Sequence, residues 1–564
     1  MRPLVLVALA AASPARAFEI ETTSELWTQT YDSAGAQGGA DTARGVGIDF
    51  YGNVFAAGTV DGDVNHGSNG YLAGWDEEGA PLWTLVLDAG LVGATDSNDQ
   101  IWALHVDQSD QITVAGRLPS SGVSDGAAWV RAVDPLDGAT VWERSFIDGV
   151  SPEQAAFGTG FSPSNNDVVF AGWSRGDLPT LAGRMILGRL AQSDGADVWP
   201  LATYDAAADL FNPDQGRDIA IDLYGTYTLV GRVGVDGGAA GSTTNDAQWF
   251  VQRYDAFGVP LWSTSEGGPL DDEASAVVLD AANNVIVAGY TNVGTDNADG
   301  RDDDWRVVKY SQFADASGLA SVMWTYTFTS TPGASERATA VALDDDGDIL
   351  VAGTERVGDV LTWRVVELSP TDGSARNERV WPVGAADSVP WALAQQGTRA
   401  VVAGSWGNAT ADLHVSYLAS DIDLDGTIDD DDLCPTDPNK VDPGACGCNN
   451  SDQDADADGA VDCVDICDGD PDKVEPGICG CGFPDSDDDA DGVPGCDDAC
   501  SETPAGEPVD VNGCGASQLA PADTGAVDVA PPTPDEKGCD ASGGASPRLF
   551  AVAAMAALLR RRRT

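Results

Sequence analysis

Aspartates at alternating positions dominate three short loops towards the C-terminal end of the chain. Each loop reads Asp-x-Asp-x-Asp-Gly, and the loops begin at Asp421, Asp454 and Asp487. In the numbering of an EF-hand loop, carboxylates at positions 1, 3 and 5 bind a hard cation, and the glycine at position 6 allows a tight turn. This density of oxygen ligands favours Ca²⁺ over Mg²⁺, which keeps its water and requires an octahedron. We therefore predict Ca²⁺ as the cofactor.

The predicted calcium ligands include the aspartates at positions 9 and 12 of each loop. Loop by loop they are Asp421, Asp423, Asp425, Asp429 and Asp432; Asp454, Asp456, Asp458, Asp462 and Asp465; and Asp487, Asp489, Asp491 and Asp498. In the third loop position 9 is Gly495, so water or a backbone carbonyl would serve there. A solvated acidic run is the alternative, but it explains only the charge and not the spacing.

Ten of the 11 cysteines lie in the same segment, between Cys434 and Cys514. The motif from Cys434 to Cys446-Gly-Cys448 returns 33 residues later, from Cys467. An even count in an exported chain favours disulfides, whose pairing stays open, while zinc bound through Cys446 and Cys448 is the competing interpretation. Together with the aspartates, this pattern resembles thrombospondin type 3 repeats. The resemblance implies that calcium and disulfides replace a hydrophobic core over residues 421–515, which would form a small disulfide-rich calcium-binding stalk.

Residues 18–420 contain seven copies of a four-part repeat. One copy comprises the strand-like runs 45–49, 53–58 and 71–76, and Trp83 opens a fourth run. Four short strands joined by Asp, Gly and Asn turns are typical of a β-propeller blade. We therefore predict an all-β fold, a seven-bladed β-propeller. The repeat resembles the bacterial SBBP propeller repeats, through Asp-x-Ala-x-Gly-Val-x-Asp followed by Gly-Asn-Val-x-x-Ala-Gly, which implies an extracytoplasmic setting but no single activity.

The order of the four parts predicts how the ring closes. The chain enters the first repeat at a tryptophan run that contains Trp27, and the seventh alternating run, 413–419, is left over at the other end. If these two runs pair, they complete one blade and remove two unpaired sheet edges. We therefore expect a propeller that is closed by a C-terminal strand.

Both ends of the chain carry segments typical of targeting signals. Residues 1–17 have an early arginine, a short apolar stretch and a small-residue cleavage site, which predict a secretory signal peptide. Residues 516–538 form a Pro-rich linker, and residues 539–564 combine Cys539, a Gly/Ser spacer, a short apolar stretch and four arginines. This tail resembles MYXO-CTERM sorting tags, which implies cleavage near Cys539 and retention on the surface; a plain anchor helix is the alternative. We expect an exported protein, at the cell surface or outer membrane or extracellular, that is anchored in the membrane through its C-terminus before processing.

The charge excludes two classes of partner. Asp and Glu number 91 against 29 Lys and Arg, and the net charge is −62. Nucleic acid and anionic lipid surfaces both attract clustered Lys and Arg. We expect neither partner, and we expect a monomer.

Catalysis has little support in the sequence. The three histidines, His66, His105 and His414, do not neighbour a Ser, Cys or Asp pattern that indicates activation. The runs 133–142 and 191–199 resemble the tryptophan motif of quinoprotein blades, but a tryptophan that packs between blades explains them as well. We therefore predict that the chain is not an enzyme.

Binding or adhesion is the leading prediction for function. The loops 61–70, 236–246 and 291–304 are polar and rich in Gly, Asn and Asp, and loops at one end of a rigid ring are common binding sites. We expect an extracellular ligand, a glycan or a protein, on this platform. Two alternatives stay open: an extracellular enzyme that acts on polysaccharide in the funnel of the ring, and a purely structural surface component.

Overall fold

The fold is all-β, and its strands form separate four-stranded sheets. The computed structural model describes residues 18–519 except 34–40, 62–67, 88–98, 108, 121–122, 147–152, 176–182, 205–213, 235–246, 268–270, 294–301, 331–334 and 408–410. Within these residues, 28 strands form seven antiparallel sheets, and a 3₁₀ helix at Ile20–Thr22 precedes the first strand. The sheets are the blades of a propeller, so the predicted seven-bladed, all-β architecture is confirmed.

Six blades consist of four consecutive strands each. The strands of blades 1 to 3 are β2 Thr42–Ile48, β3 Val54–Asp61, β4 Ser68–Trp75, β5 Pro81–Leu87; β6 Gln100–Val106, β7 Ile112–Ser120, β8 Val123–Val133, β9 Thr140–Phe146; and β10 Gln154–Phe161, β11 Val168–Arg175, β12 Gly183–Leu190, β13 Asp197–Tyr204. Those of blades 4 to 6 are β14 Gln215–Ile221, β15 Tyr227–Gly234, β16 Ala247–Tyr254, β17 Pro260–Glu266; β18 Glu273–Leu279, β19 Val285–Asn292, β20 Asp303–Ala314, β21 Ala320–Phe328; and β22 Ala338–Leu343, β23 Ile349–Val357, β24 Val360–Leu368, β25 Ala375–Val380.

The seventh blade joins the two ends of the propeller. It combines three C-terminal strands with the first strand of the chain: β26 Val389–Gln396, β27 Arg399–Gly407, β28 Ala411–Ser420 and β1 Thr23–Tyr31. The register of the closing pair runs from Thr23 opposite Ser420 to Tyr31 opposite Leu413. The predicted closure by a C-terminal strand is therefore confirmed.

A β-bulge recurs at one place in the innermost strand of every blade. In β2 the pairing with β3 shifts between Ala43 and Gly45, and the other six innermost strands shift at the equivalent position. The bulge brings the carbonyl oxygen of Thr42 so close to Gly58 that a Cβ there would lie 1.9 Å from it. The same contact recurs in the other blades, so the backbone of the innermost strand requires the glycine that ends each small-Gly run.

Tryptophans on the outermost strands connect one blade to the next. The indole N–H of Trp83 in blade 1 donates to the carbonyl oxygen of Pro135 in blade 2 at 2.7 Å. Trp142 in blade 2 donates in the same way to Gln192 in blade 3 at 2.6 Å. The tryptophans of the two quinoprotein-like runs therefore lie on outermost strands. Trp142 packs between two blades, which agrees with the interpretation that needs no quinone cofactor.

Blade 6 departs from this tryptophan pattern. Opposite its neighbouring strand, Asn377 occupies the place that Trp142 occupies in blade 2. Trp381 lies beyond the end of β25, where its ring packs at 5.9 Å from that of Trp363. Trp381 therefore does not lie in the outermost strand of blade 6, although it is near the spacing of the tryptophans in the other repeats.

The chain divides into two compact units, Met1–Asp452 and Gln453–Thr564. The first unit contains the propeller and the first acidic loop. In residues 453–519, the described part of the second unit, the chain forms turns and one isolated bridge between Val509 and Gly515 but no strand. The acidic segment 421–515 is thus shared between the two units.

Disulfides hold the acidic segment together. Cys434–Cys448 lies in the first unit, and Cys467–Cys481, Cys479–Cys496 and Cys500–Cys514 lie in the second. Cys446 and Cys463 are disulfide-bonded as well. The prediction of disulfides is confirmed. The zinc interpretation is wrong, because Cys446 and Cys448 are oxidised and offer no thiolate.

The predicted targeting segments lie outside the described residues. These are the signal peptide 1–17, the tail 539–564 and all but the first residues of the linker 516–538. Within the described part of the chain, no helix combines the length and the apolar character that crossing a membrane requires.

Candidate functional site

The innermost strands of the seven blades surround a central cavity of about 900 Å³. Each contributes one side chain from its bulge, and a bulge re-aims the side chain of its extra residue. The seven bulged residues all line the cavity, and we call them the bulge ring: Arg44, Trp102, Phe157, Arg217, Ser275, Thr339 and Trp391. A cavity of this size is within the usual range for a small-molecule site.

The bulge ring differs from blade to blade, while the next position along the strand hardly varies. In six blades the residue after the bulge is Gly or Ala: Gly45, Ala103, Gly158, Ala276, Ala340 and Ala392. Neighbouring blades are in close contact there, since a Cβ on Gly45 would lie 2.2 Å from the backbone nitrogen of Leu104. Packing therefore fixes the position after the bulge, and leaves the bulge ring free to serve a ligand.

Aromatic and cationic side chains cover one side of the bulge ring. The guanidinium of Arg44 lies 3.7 Å from the ring centroid of Trp391, and that of Arg217 lies 5.0 Å from the ring of Phe157. The rings of Trp102 and Phe157 are 4.4 Å apart. The five large residues thus come from consecutive blades, 7 and 1 to 4, and the short Ser275 and Thr339 leave the side of blades 5 and 6 open.

Arg44 is a cation without an acidic partner among the described residues. Its guanidinium forms no ion pair or hydrogen bond with any of them, although Arg44 lines the cavity. Burial and the nearby charge of Arg217 lower the pKa of Arg44 to about 10, so it is still charged at neutral pH. Its guanidinium N–H groups are therefore available to an acceptor in the cavity.

Arg217 is held by an acidic residue of the adjacent blade. It donates to Oε2 of Glu273 at 2.8 Å, and the Nε of Arg232 lies 3.6 Å from the same oxygen. Although burial acts in the opposite direction, these two arginines lower the pKa of Glu273. The Nε of Arg217 is buried and has no hydrogen-bond partner. Glu273 therefore fixes Arg217 at the channel wall while one of its donors stays free.

Asp218 is the exception at the position after the bulge, where the other blades have Gly or Ala. Its carboxylate accepts the backbone N–H groups of Ile219 at 2.8 Å and of Val277, on the next blade, at 2.9 Å. Burial is the main cause that raises the pKa of Asp218 to about 7. The cavity wall thus carries one carboxyl group that gains and loses its proton near neutral pH.

The three acidic loops share one backbone conformation. Position 4 has a positive φ in each loop, 59° at Leu424, 65° at Ala457 and 59° at Ala490. The glycine at position 6 is left-handed as well, and its N–H donates to the carboxylate at position 1, as Gly426 does to Asp421. The loop fold that the spacing predicts is therefore repeated three times in the structure.

The carboxylates at positions 1, 3 and 5 converge in each loop. Their ligand oxygens lie within 4.8 Å of one another in the groups Asp421, Asp423, Asp425; Asp454, Asp456, Asp458; and Asp487, Asp489, Asp491. Six carboxylates have one buried oxygen without a hydrogen-bond partner: Asp421, Asp423, Asp432, Asp456, Asp489 and Asp491. Buried oxygens without donors fit a cation, so these groups could hold a metal ion.

The remaining predicted ligands divide into two roles. At position 9, Asp429 and Asp462 accept the backbone N–H of position 2 of their loops, which braces the turn. At position 12, one oxygen of each aspartate accepts the N–H two residues on, at the backbone of Cys434, Cys467 and Cys500. The second oxygen of Asp432 is buried and unpartnered, so position 12 can still contribute a ligand in the first loop.

Sequence reasoning missed the bulge ring. The signal was present as the second variable position of the pattern Asp-x-Ala-x-Gly, where the seven repeats carry five residue types, but a bulge cannot be recognised from a strand pattern. The loops 61–70, 236–246 and 291–304 lie largely outside the described residues, as does His66. His105 lines the cavity, and His414 stacks against Trp406 at 5.1 Å.

Comparisons with known proteins find similarity to a segment of one curated protein and to solved structures. No family model matches the chain. The regulatory protein FlaEY of Caulobacter vibrioides is 27% identical over 155 residues, which are 26% of this chain and 15% of that protein. The chain therefore spans much less than two thirds of the length of this relative. A quinohemoprotein alcohol dehydrogenase from Pseudomonas putida HK5 is similar in structure, with 10% identity, a TM-score of 0.36, and coverage of 71% of this chain and 77% of that one.

One prediction is corrected by the structural comparison. The chain was expected not to be an enzyme, yet the solved propeller to which it is similar is an enzyme. The question has to be decided by the residues of the channel.

Proposed function

We propose that the chain is a cell-surface binding protein that takes a glycan or a protein segment into the central channel of its propeller. The bulge ring is the observation that carries this proposal. Seven equivalent positions, which packing does not constrain, hold arginines and large aromatics on one side and short hydroxyl residues on the other. Aromatic faces together with a few convergent polar groups are typical of ligand sites.

The surface location and the adhesive role rest on sequence features. The secretory signal, the SBBP-like repeats and the MYXO-CTERM-like tail support export and retention. The acidic segment, with its likeness to thrombospondin type 3 repeats, would hold the propeller away from the envelope. Binding of a ligand in the channel at this distance would make the chain an adhesion protein.

Calcium completes the proposal. The converging carboxylates and their buried, unpartnered oxygens support a cation with many oxygen ligands. When bound, Ca²⁺ would neutralise carboxylates that otherwise repel one another, so binding and ordering would be coupled. Calorimetric titration of the full chain with Ca²⁺ tests this, with Mg²⁺ as the comparison. The absence of heat and of any change in circular dichroism would reject it.

Arrays of glycans and of extracellular proteins test the binding role. Ser275→Trp places in blade 5 the residue that blades 2 and 7 carry at the same position, so the ring should accept it while the open side of the channel is filled. We expect binding of any captured ligand to fall at least tenfold. Val322→Trp, on the exposed outermost strand of the same blade, is the matched control. Equal binding by both variants would reject the channel as the site.

A second candidate function is acid–base catalysis on a polysaccharide in the channel. Three carboxyl groups, Asp218, Asp271 and Glu273, line the cavity, and Asp218 replaces the Gly or Ala of the other blades. Its pKa of about 7 suits a general acid or base at neutral pH. Release of reducing ends from crude polysaccharide, abolished by Asp218→Asn, would support this function. Equal release by the variant would reject it.

A further inference from the structure

The inner surface of the channel has a charge opposite to that of the whole chain. The protein has a net charge of −62, yet four arginines line the cavity: Arg44, Arg217, Arg232 and Arg337. Two of them are matched, since Arg232 lies beside Glu273 and the Nε of Arg337 donates to Asp303 at 2.7 Å. Arg44 is unmatched among the described residues, and Arg217 has one buried donor to spare. The cavity therefore offers more cationic donors than its own carboxylates use.

Arg44 and Arg217 carry the cationic donors that the carboxylates of the cavity do not use. They lie three blades apart in the bulge ring and line the same cavity, where the charge of Arg217 adds to burial in lowering the pKa of Arg44. Two guanidinium groups that repel each other in an enclosed site are stabilised by an anion between them. A carboxylate suits the site well, because its two oxygens can accept from the guanidinium of Arg44 and from the free Nε of Arg217.

The surroundings of the two arginines indicate what the anion is attached to. Trp391 lies beside Arg44 and Phe157 beside Arg217, and Trp102 lies against Phe157; all three present flat apolar surfaces. On the opposite side of the cavity, Ser275 and Thr339 are short and carry hydroxyls. A sugar ring combines an apolar face with a rim of hydroxyls, and the cavity of about 900 Å³ has room for more than one such ring.

We propose that the channel binds a carboxylate-bearing sugar, with the carboxylate between Arg44 and Arg217 and the ring faces against Trp391, Trp102 and Phe157. This inference rests on the proposed binding function and names its ligand class. The acidic residues of the wall do not oppose it, because Glu273 is bound by arginines, Asp218 by two backbone N–H groups and Asp271 by the N–H of Ala247. The strongly acidic exterior makes binding depend on these short-range contacts rather than on long-range attraction.

Calorimetry with matched ligands tests the proposal on the full chain. The probes are trisaccharides of galacturonate, glucuronate and mannuronate, each compared with its methyl ester, which keeps the sugar and removes the charge. We expect at least one acid to bind, and its ester to bind at least tenfold more weakly. Inorganic sulfate, used alone, shows whether any anion is sufficient, and we expect it to bind much more weakly than the acid.

Variants locate the site. Arg44→Ser introduces the residue that blade 5 carries at the same position, so the fold should tolerate it, and we expect affinity for the acid to fall about 10- to 100-fold. Arg144→Ser removes the same charge from an exposed outermost strand and should leave the affinity unchanged. Equal binding of acid and ester, no binding of any of the three acids, or unchanged affinity in Arg44→Ser would overturn the proposal.

The failure of this inference is distinguishable from the failure of the proposed function. If a neutral glycan or a peptide binds and Ser275→Trp blocks it, the channel is a binding site but not one for acidic sugars. If sulfate binds as tightly as the acids, the site recognises any anion, and the assignment to a sugar is overturned. If no array ligand binds at all, the proposed function fails with it.

Discussion

Asp218 gives the propeller a stability that depends on pH. Burial raises its pKa from 3.8 to about 7, so the folded chain holds this proton more tightly than the unfolded chain does. The corresponding stability is fully present below about pH 4 and is lost as the pH rises through about 7. Asp218→Asn removes the titration and keeps an acceptor for the N–H of Val277. We expect the variant to be more stable than the natural chain at pH 8, by about 1–4 kcal/mol.

Thermal unfolding at several pH values checks this prediction. The difference in stability between Asp218→Asn and the natural chain should shrink as the pH falls from 8 to 4. A difference that stays constant across this range would show that Asp218 does not titrate there.

The substitution Gly58→Ala tests why the small-Gly runs end in glycine. The close approach of the bulged innermost strand is the proposed reason, and a left-handed backbone is the alternative. A Cβ at Gly58 would lie 1.9 Å from the carbonyl oxygen of Thr42, so Gly58→Ala must displace backbone. We expect it to destabilise the chain by more than about 3 kcal/mol, in the range of severe core changes. Gly347→Ala is the control, because it has a φ of +84° but no atom within 4 Å of the added Cβ. It should cost only about 1–2 kcal/mol, from the left-handed backbone.

Urea unfolding of both variants measures the two costs. Similar losses for Gly58→Ala and Gly347→Ala would mean that the innermost strand can move away from the glycine. The bulges would then not be fixed by packing. Packing would also not hold the side chains of the bulge ring towards the channel.

At the scale of elements, the first acidic loop is part of the closure of the propeller. The N–H of Asp421 donates to the carbonyl oxygen of Thr22, next to β1, at 2.8 Å, and the hydroxyl of Ser24 in β1 donates to the carboxylate of Asp421. The N–H of Asp429 donates to Ser420, at the end of β28, at 2.9 Å. A cation in this loop would therefore hold both closing strands through Asp421, which is fully buried.

We expect Ca²⁺ to stabilise the propeller through the first loop. At ten times the dissociation constant, binding to the folded state alone adds about 1.4 kcal/mol. Asp423→Asn, in the first loop, should remove this gain. Asp456→Asn makes the same change at the same position of the second loop, in the other unit, and should retain it.

Tryptophan fluorescence during thermal unfolding checks this prediction. All 16 tryptophans precede residue 420, so their signal reports on the propeller. If Ca²⁺ does not raise the transition temperature, or if both variants lose the gain equally, the first loop has no special role in closure.

The elements also show how far the sequence could be read. The small-Gly runs and most of the tryptophans could be predicted because each repeated residue meets the same steric demand, as Gly58 does against Thr42 and Trp83 against the next blade. The bulge ring could not be predicted, because packing places no demand on it and its residue type varies among the repeats. Trp381 shows that spacing alone is not sufficient. It is near the spacing of the repeated tryptophans, but it does not occupy the equivalent position in the outermost strand. The acidic loops were predictable because metal-binding spacing is local in sequence.

At the scale of the whole molecule, two different sources of stability are separated along the chain. The propeller has a large apolar core and no cysteine, while every cysteine lies at or beyond Cys434. In residues 453–519 the structure shows turns, disulfides and hardly any buried apolar side chains. A segment of this kind depends on its cross-links, and a disulfide that closes a loop of about 15 residues contributes about 3 kcal/mol.

Reduction in the presence of constant Ca²⁺ should therefore act on the acidic segment and not on the propeller. We expect residues 453–519 to lose protection from hydrogen exchange, because Cys467–Cys481, Cys479–Cys496 and Cys500–Cys514 no longer restrict the unfolded chain. The unfolding transition that tryptophan reports should shift by less than about 2 °C, since the propeller contains no disulfide. A protected acidic segment after complete reduction would show that calcium alone maintains it. A large shift of the tryptophan transition would show instead that the stability of the propeller depends on the disulfides. Its apolar core and its closing strand would then not be sufficient to stabilise it.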